Sequence, residues 1–376
     1  MRSSIRLGKL FGIEIGLHYS WFLIALLITM SLGSQFQESH AAWGSGVIWA
    51  LSLLTALLFF VTLLAHEMSH ALVARARGLT TKAITLFALG GVAQIEKEPE
   101  DAKTEFLVGI VGPFSSAVIG VASLGIAWGL GWHFGAEPAT PWSAMFVWLG
   151  YINLSLAAFN MIPGYPLDGG RILRSILWLI SRDSVQATQR AAAVGKVIAL
   201  LFIAFGIFQF FRGAGFGGLW IAFIGWFLLQ AATASASSVV LTAGLKGVRV
   251  SDVMTSDCLM LDGNMNVEHF VENFLLRSGK RCFVVQQKGE VAGLVTAHEI
   301  KELERPRWPY TTLSDIMRPL DQLHTVAPTT PVMEALETMG RDDVNQLPVV
   351  TGNHLDGIIT RANVLQFLQT RTELGR

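Results

Sequence analysis

The chain has 376 residues, 28 basic against 28 acidic, with 52% hydrophobic and only 15% charged side chains. Zero net charge gives no electrostatic support for a nucleic-acid partner, and so apolar a composition excludes an ordinary soluble protein. The long apolar runs lie in residues 1–240, whereas 245–376 read as an ordinary soluble mixture, so one part is built for hydrocarbon and the other for water.

A bilayer-spanning helix needs roughly 20 mostly apolar residues. Six stretches qualify, at about 17–34, 46–72, 105–131, 142–162, 191–211 and 216–236. The fourth is the least regular, with Asn153 and Asn160 in its second half. No small-residue cleavage site follows 17–33, so no cleavable signal peptide is expected. Basic loops stay on the cytoplasmic side. Arg2, Arg6 and Lys9 precede the first span, and Arg75, Arg77, Lys82, Lys97 and Lys103 follow the second. Arg171, Arg174, Arg182 and Arg190 follow the fourth, whereas 35–45 and 132–141 carry no Lys or Arg. Only Arg212 falls on the outer side of this alternation. Both termini and residues 245–376 are therefore expected in the cytoplasm, with the spans in the cell inner membrane.

The second span ends in 66-HEMSH-70. Ionisable groups are costly in hydrocarbon and need a reason to be there. Residues four apart share a helix face, so His66 and His70 can converge on one Zn²⁺, with Glu67 beside it to take a proton from water. The alternative is two histidines at a helix end, bonded to backbone or lipid headgroups. Downstream, 83-AITLFALGG-91 alternates weakly, Gly90-Gly91 suit a tight turn, and Val92 to Glu96 read as a returning strand. Gly112-Pro113 in the third span read as a close helix approach and a kink.

A catalytic zinc usually takes three protein ligands. The third candidate is Asp168, in 160-NMIPGYPLDGGRIL-173. Pro163 and Pro166 end the fourth span, the Asp-Gly-Gly stretch turns the chain, and a helix begins near Arg171. Broken backbone at membrane depth is tolerated only where protein or a wet cavity surrounds it. Asp168 either completes the metal site or caps the helix that follows. His18 reads as structural, and Cys258 and Cys282 read as free thiols in a reducing compartment.

Together, His66-Glu67-x-x-His70 in one membrane helix and 160-NMIPGYPLDGG-170 after a later one resemble the site-2 protease family of intramembrane zinc metalloproteases, peptidase M50-like, over about 1–240. The resemblance implies one Zn²⁺ per chain held by His66, His70 and Asp168, with Glu67 as general acid/base. Asn160 and Pro163 match the start of the family's second motif. Asn160 is then a candidate catalytic residue that bonds the substrate backbone or oxyanion, or else it satisfies backbone freed near Pro163. The resemblance also implies that 83–103 forms membrane-associated sheet. Its edge could pair with an unwound substrate strand, the alternative being a plain surface hairpin.

The polar half contains a repeat of about 63 residues. Both 250-VSDVM-254 and 313-LSDIM-317 open on a Ser-Asp-hydrophobic-Met turn. An amphipathic helix follows in each (270–277, 332–339), then a strand (282-CFVV-285, 347-LPVV-350), then a second strand and helix (293-GLVTAHEI-300, 357-GIITRANV-364). This resembles a tandem CBS domain pair over about 245–372. Such pairs commonly bind adenine nucleotides, which implies ATP or AMP held at Thr296, Glu299, Thr360 and Asn363. The family often has Asp where Glu299 and Asn363 stand, and the two threonines also suit helix N-caps.

The expected fold is a membrane α-helical bundle of about six transmembrane helices with a small membrane-associated β region, plus a soluble α/β CBS pair. The expected domains are 1–240 for the metalloprotease, 241–248 for a linker, and 249–306 and 311–372 for the CBS repeats. The expected activity is zinc-dependent hydrolysis of peptide bonds in transmembrane or membrane-tethered proteins, regulated by the CBS pair. The expected partners are such a substrate, membrane lipid, and a second copy joined through the CBS pair. The rivals are a CBS-regulated transporter or channel, whose polar residues would mark a path through the bilayer rather than converge at one end, and a non-catalytic scaffold that keeps the fold and binds partners through CBS, against which the intact His66, Glu67, His70 and Asp168 argue.

Overall fold

The fold is that of a computed structural model, which describes residues 5–40, 42–88, 90–95, 99–256, 258–278, 283–287, 290–319, 322–352 and 354–373. The chain divides into two compact units, Met1–Val239 and Val240–Arg376.

The first unit opens on a hairpin of β1 (Ile5–Leu10) and β2 (Ile13–Leu17), followed by α1 (Ser20–Ser39) and α2 (Ser45–Ala76). The chain returns as β3 (Thr81–Phe87) and β4 (Gly90–Ile95). Then come α3 (Ala102–Gly129), α4 (Pro141–Asn160), α5 (Asp168–Ser181), α6 (Ser184–Gln209) and α7 (Phe216–Gly244). Six of these helices, all but α5, are long and apolar enough to cross a membrane. They are the six expected spans with shifted edges. The first starts at Ser20 because Ile13–Leu17 is spent on β2. The fifth starts at Ser184 because the Asp183 carboxylate accepts the amide hydrogens of Val185 and Gln186 and nucleates the helix before the apolar run begins.

Other helix starts have equally local causes. Asp101 accepts from the Thr104 amide, and Thr140 and Ser143 form a reciprocal capping box with Pro141 in the first turn. Within the spans, Ser52, Thr55 and Asn153 donate to the carbonyls of Ile48, Leu51 and Leu149 one turn back, so the hydroxyl and amide hydrogens bond inside their own helices.

The sheet runs β1-β2-β3-β4. Its two hairpins are antiparallel, and β2 pairs parallel with β3, bringing Ile15 opposite Ile84 and Leu17 opposite Leu86. A parallel pair needs a long crossover, and α1 with α2 supplies it. Ile13, Ile15 and Leu17 alternate onto one face and bury with Ile84 and Leu86 against Phe60, Leu63 and Met68 of α2. The sheet therefore lies over the part of α2 that carries the His-Glu-x-x-His motif. Strands β1 and β2 were not expected from the sequence. Their two-residue turn is Phe11–Gly12, both at positive φ, and phenylalanine is not a residue that announces such a turn.

The second unit holds two similar halves. The first has β5 (Leu259–Asp262), α8 (Val267–Phe270) continued by a π turn, β6 (Phe283–Gln287), β7 (Glu290–Val295) and α9 (Ala297–Lys301). The second has α10 (Leu313–Ile316), β8 (Arg318–Pro319), α11 (Val332–Arg341), β9 (Gln346–Thr351), β10 (His354–Thr360) and α12 (Arg361–Glu373). The sheets run β5-β6-β7-β8 and β9-β10. Each half borrows backbone from the segment leading into the other. Val250 and Val332 amides bond Thr330 and Val248 carbonyls, while Val267 and Leu313 amides bond Thr311 and Met265 carbonyls. Val284, Leu294, Leu355 and Ile358 then share one apolar cluster between the two hairpins. Leu245 and Val248, from the stretch 241–248, are buried in the core of the second half. Cys258 is disulfide-bonded, which corrects the expectation of a free thiol there, and Cys282 lies outside the described residues.

Candidate active site

Helix α2 presents His66 and His70 one turn apart on its buried face, with their Nε2 atoms 3.2 Å from each other. Asp168 comes from the first turn of α5, and its Oδ2 lies 3.2 Å from both Nε2 atoms. The imidazoles are 3% and 5% exposed, deep enough that none of this is surface chemistry. The N-cap position of α5 is Leu167, with no side-chain cap bond. Asp168 therefore turns its carboxylate to the histidines instead of capping its own helix.

The outer nitrogen of His70 fixes its inner one. His70 Nδ1 lies 2.6 Å from the Val108 carbonyl oxygen, which only accepts, so Nδ1 carries the hydrogen and neutral His70 offers an Nε2 lone pair. His66 Nδ1 lies 2.9 Å from Ser116 Oγ. With hydrogen on each Nδ1, two ring lone pairs and a carboxylate oxygen face one another and are mutually repulsive unless a proton or cation sits among them. The donor set is the nitrogen and oxygen chemistry that zinc takes. Ligand atoms about 2.0–2.1 Å from a tetrahedral centre lie about 3.3–3.4 Å apart, close to the triangle found here. The three residues fit a zinc ion. Gly112 of α3 keeps the space clear: a Cβ there would lie 2.1 Å from His70 Nε2 and 2.7 Å from His66 Nε2. What the sequence suggested as a kink is thus also a wall of the site.

Glu67, next to His66 on α2, is half-buried beneath β4. A Cβ on Gly91 would lie 2.4 Å from Glu67 Cγ, so the strand passes over the carboxylate at backbone distance. Gly90 and Gly91 are strand residues, not the tight turn expected, and the second glycine is needed for this approach.

Asn160 ends α4, and its side-chain nitrogen donates to the Leu156 carbonyl oxygen at 3.1 Å, within its own helix. His18 is not in the group of His66, His70 and Asp168; its Nδ1 lies 2.8 Å from Ser20 Oγ, which also accepts the Ala88 amide. Three residues near the site were missed in the sequence: Ser116, the Val108 carbonyl and Glu105. Glu105 is completely buried in the first turn of α3, with Arg171 Nε at 3.2 Å and Arg174 Nη1 at 3.3 Å. A glutamate at the edge of an apolar span was the available signal.

In the second unit, Thr296 donates its amide and hydroxyl to Glu299 Oε2 at 2.9 and 2.5 Å, while Glu299 Oε1 lies 2.7 Å from Arg318 Nε. In the other half, Thr360 Oγ1 lies 2.5 Å from Asn363 Oδ1 and accepts the Asn363 amide at 3.1 Å, a helix cap. Each Thr is paired with the residue three positions on.

The family model for peptidase family M50 matches residues 54–133 and 130–204, and the one for the CBS domain matches 250–305 and 313–370. The chain is 34% identical over 372 residues to "Putative zinc metalloprotease Rip3" of Mycobacterium tuberculosis, covering 98% of this chain and 93% of the relative. It is 29% identical over 377 residues to a zinc metalloprotease of Methanocaldococcus jannaschii, covering 100% and 99%. Among solved structures, a site-2 protease from Methanocaldococcus jannaschii is 30% identical, with 62% of this chain and 94% of that chain covered and a TM-score of 0.43.

Proposed function

Because the chain belongs to peptidase family M50, the site-2 protease type of zinc metalloprotease, and carries a tandem CBS pair, we propose that it cuts transmembrane or membrane-tethered proteins within or near the bilayer and frees a cytoplasmic product. The observation that carries this reading is the meeting of His66, His70 and Asp168, from two separate helices, around a space that Gly112 leaves open.

In this reading His66, His70 and Asp168 hold the zinc. When bound there, zinc supplies Lewis-acid polarisation of a carbonyl and makes water acidic enough to lose a proton near neutral pH. Glu67 accepts that proton on its carboxylate and returns it to the leaving amine nitrogen. Asn160 hydrogen-bonds the substrate backbone, turning from the Leu156 carbonyl to do so. A peptide must be extended to be cut. Among the described residues β4 ends the sheet, so its outer edge can pair with an unwound substrate strand, and Gly91 lets the strand itself lie close over Glu67.

The CBS pair takes an adenine nucleotide through Thr296, Glu299, Thr360 and Asn363, with Glu299 exchanging Arg318 for the ligand, and joins two copies of the chain. The distribution of Lys and Arg supports an inner-membrane protein with both termini and the CBS pair in the cytoplasm. A CBS-regulated transporter or channel is less well supported: Ser52, Thr55 and Asn153, buried along the spans, spend hydrogen bonds on their own helices.

The test is co-expression with candidate single-span proteins, comparing the wild type with Glu67→Gln. The variant should keep its zinc and lose cleavage by at least about a hundredfold. Cleavage at the wild-type rate would show that Glu67 is not the acid/base.

A further inference from the structure

We propose that Glu105 is a positioning residue of the metal centre. Through the Arg171 and Arg174 guanidiniums it fixes α5, and with it the Asp168 carboxylate, against the two imidazoles. The inference rests on the reading of His66, His70 and Asp168 as zinc ligands.

The two histidines come from one helix, so α-helical geometry itself sets their spacing. Asp168 comes from α5, and no backbone continuity ties it to α2. Some other contact must hold α5 in register. Glu105 is 0% exposed, and a buried carboxylate is costly unless paired and hydrogen-bonded. Its Oε1 takes Arg171 Nε at 3.2 Å and Arg174 Nη1 at 3.3 Å, both from α5. Arg174 Nε also donates to Thr188 Oγ1 of α6 at 2.7 Å. One buried oxygen therefore joins α3 to α5, and through Arg174 to α6.

The tie is close to the ligand it serves. Arg171 lies three residues beyond Asp168, on the same face of α5. Across the interface, a Cβ on Gly109 would lie 3.2 Å from Ile172 Cγ1 and 3.4 Å from both Arg171 Cβ and the Asp168 carbonyl oxygen. Helices α3 and α5 meet there at backbone distance, with little slack between the ion pair and the carboxylate.

The same stripe of α3 serves the other ligands. Glu105, Val108, Gly109, Gly112 and Ser116 follow the 3–4 spacing of one helix face. The Val108 carbonyl orients His70, Ser116 orients His66, and Gly112 leaves room between them. Glu105 completes the set by serving the third ligand, at one remove.

The experiment measures zinc affinity of the detergent-purified full chain by competition with a zinc-binding indicator dye. Glu105→Gln is made in the wild type and in an Asp168→Asn background. Alone, it should weaken zinc binding roughly tenfold to a hundredfold, as loss of an outer partner does. In the Asp168→Asn background it should add nothing, and Glu105→Asp should recover part of the loss. Unchanged affinity in the wild type, or an equal loss in both backgrounds, would overturn the proposal. If Glu105→Gln fails to fold, Arg171→Gln tests the same tie and must show the same cancellation. Asp168→Asn alone tests the parent reading: intact affinity there would remove Asp168 as a ligand, a different failure from a tie that does not act.

Discussion

A single missing methyl group decides whether the centre can exist. A Cβ at position 112 would stand 2.1 Å from His70 Nε2, inside the space shared by the three donor atoms. Gly112→Ala should therefore lower zinc occupancy at least about tenfold, on the scale seen when ligand orientation is disturbed, while the spans remain inserted; zinc analysis of the purified variant checks this. The same residue shows what could be read in advance. His66 and His70 were legible because their four-residue spacing has one geometric meaning on a helix. Asp168 was ambiguous, since an acid at a helix start is equally good as a cap, and only the direction of its side chain settled where it points. Ser116 was illegible because its partner is far along the chain, and Glu105 gave only the signal of an acid at the edge of an apolar span, with nothing to name its arginine partners.

Among elements, β4 has the most direct bearing on how a substrate would be held. Among the described residues it is the edge of its sheet and it passes over Glu67, so an extended peptide paired to it would lie near the proposed acid/base. A cysteine at Val92, which is 44% exposed, should form crosslinks with cysteines placed around the cleavage position of a substrate. A full scan along Gly90–Val92 giving no crosslink would remove strand addition. The hairpin β3–β4 was foreseeable from weak alternation, but β1 and β2 were not, and they make this a four-stranded cover instead of a lone hairpin. Local patterning shows strands that turn back on their neighbours. It does not show that β2 pairs with β3 across two intervening membrane helices. Helix α5 was expected from Arg171 but starts at Asp168, which puts the acid at a rigid helix start rather than in a flexible loop.

At the scale of the molecule, the division into apolar and polar halves was the easiest feature to read, because hydrocarbon and water select different compositions. The repeat in the second half was equally plain, yet its chemistry was not. Glu299 and Asn363 stand where an Asp is common, and both are engaged by neighbouring side chains. If the pair takes ATP or AMP, either nucleotide at a hundredfold excess over its Kd should stabilise the full chain by about 2.7 kcal/mol, read as a rise in Tm. No rise with either nucleotide would remove that ligand class.

The account as a whole depends on Asp168 closing the ligand set, and zinc content of the purified full chain tests this most directly. The wild type and Glu67→Gln should each carry about one zinc per chain, and Asp168→Ala should lose most of it under the same preparation. An Asp168→Ala protein that keeps the full wild-type complement of zinc would contradict the account.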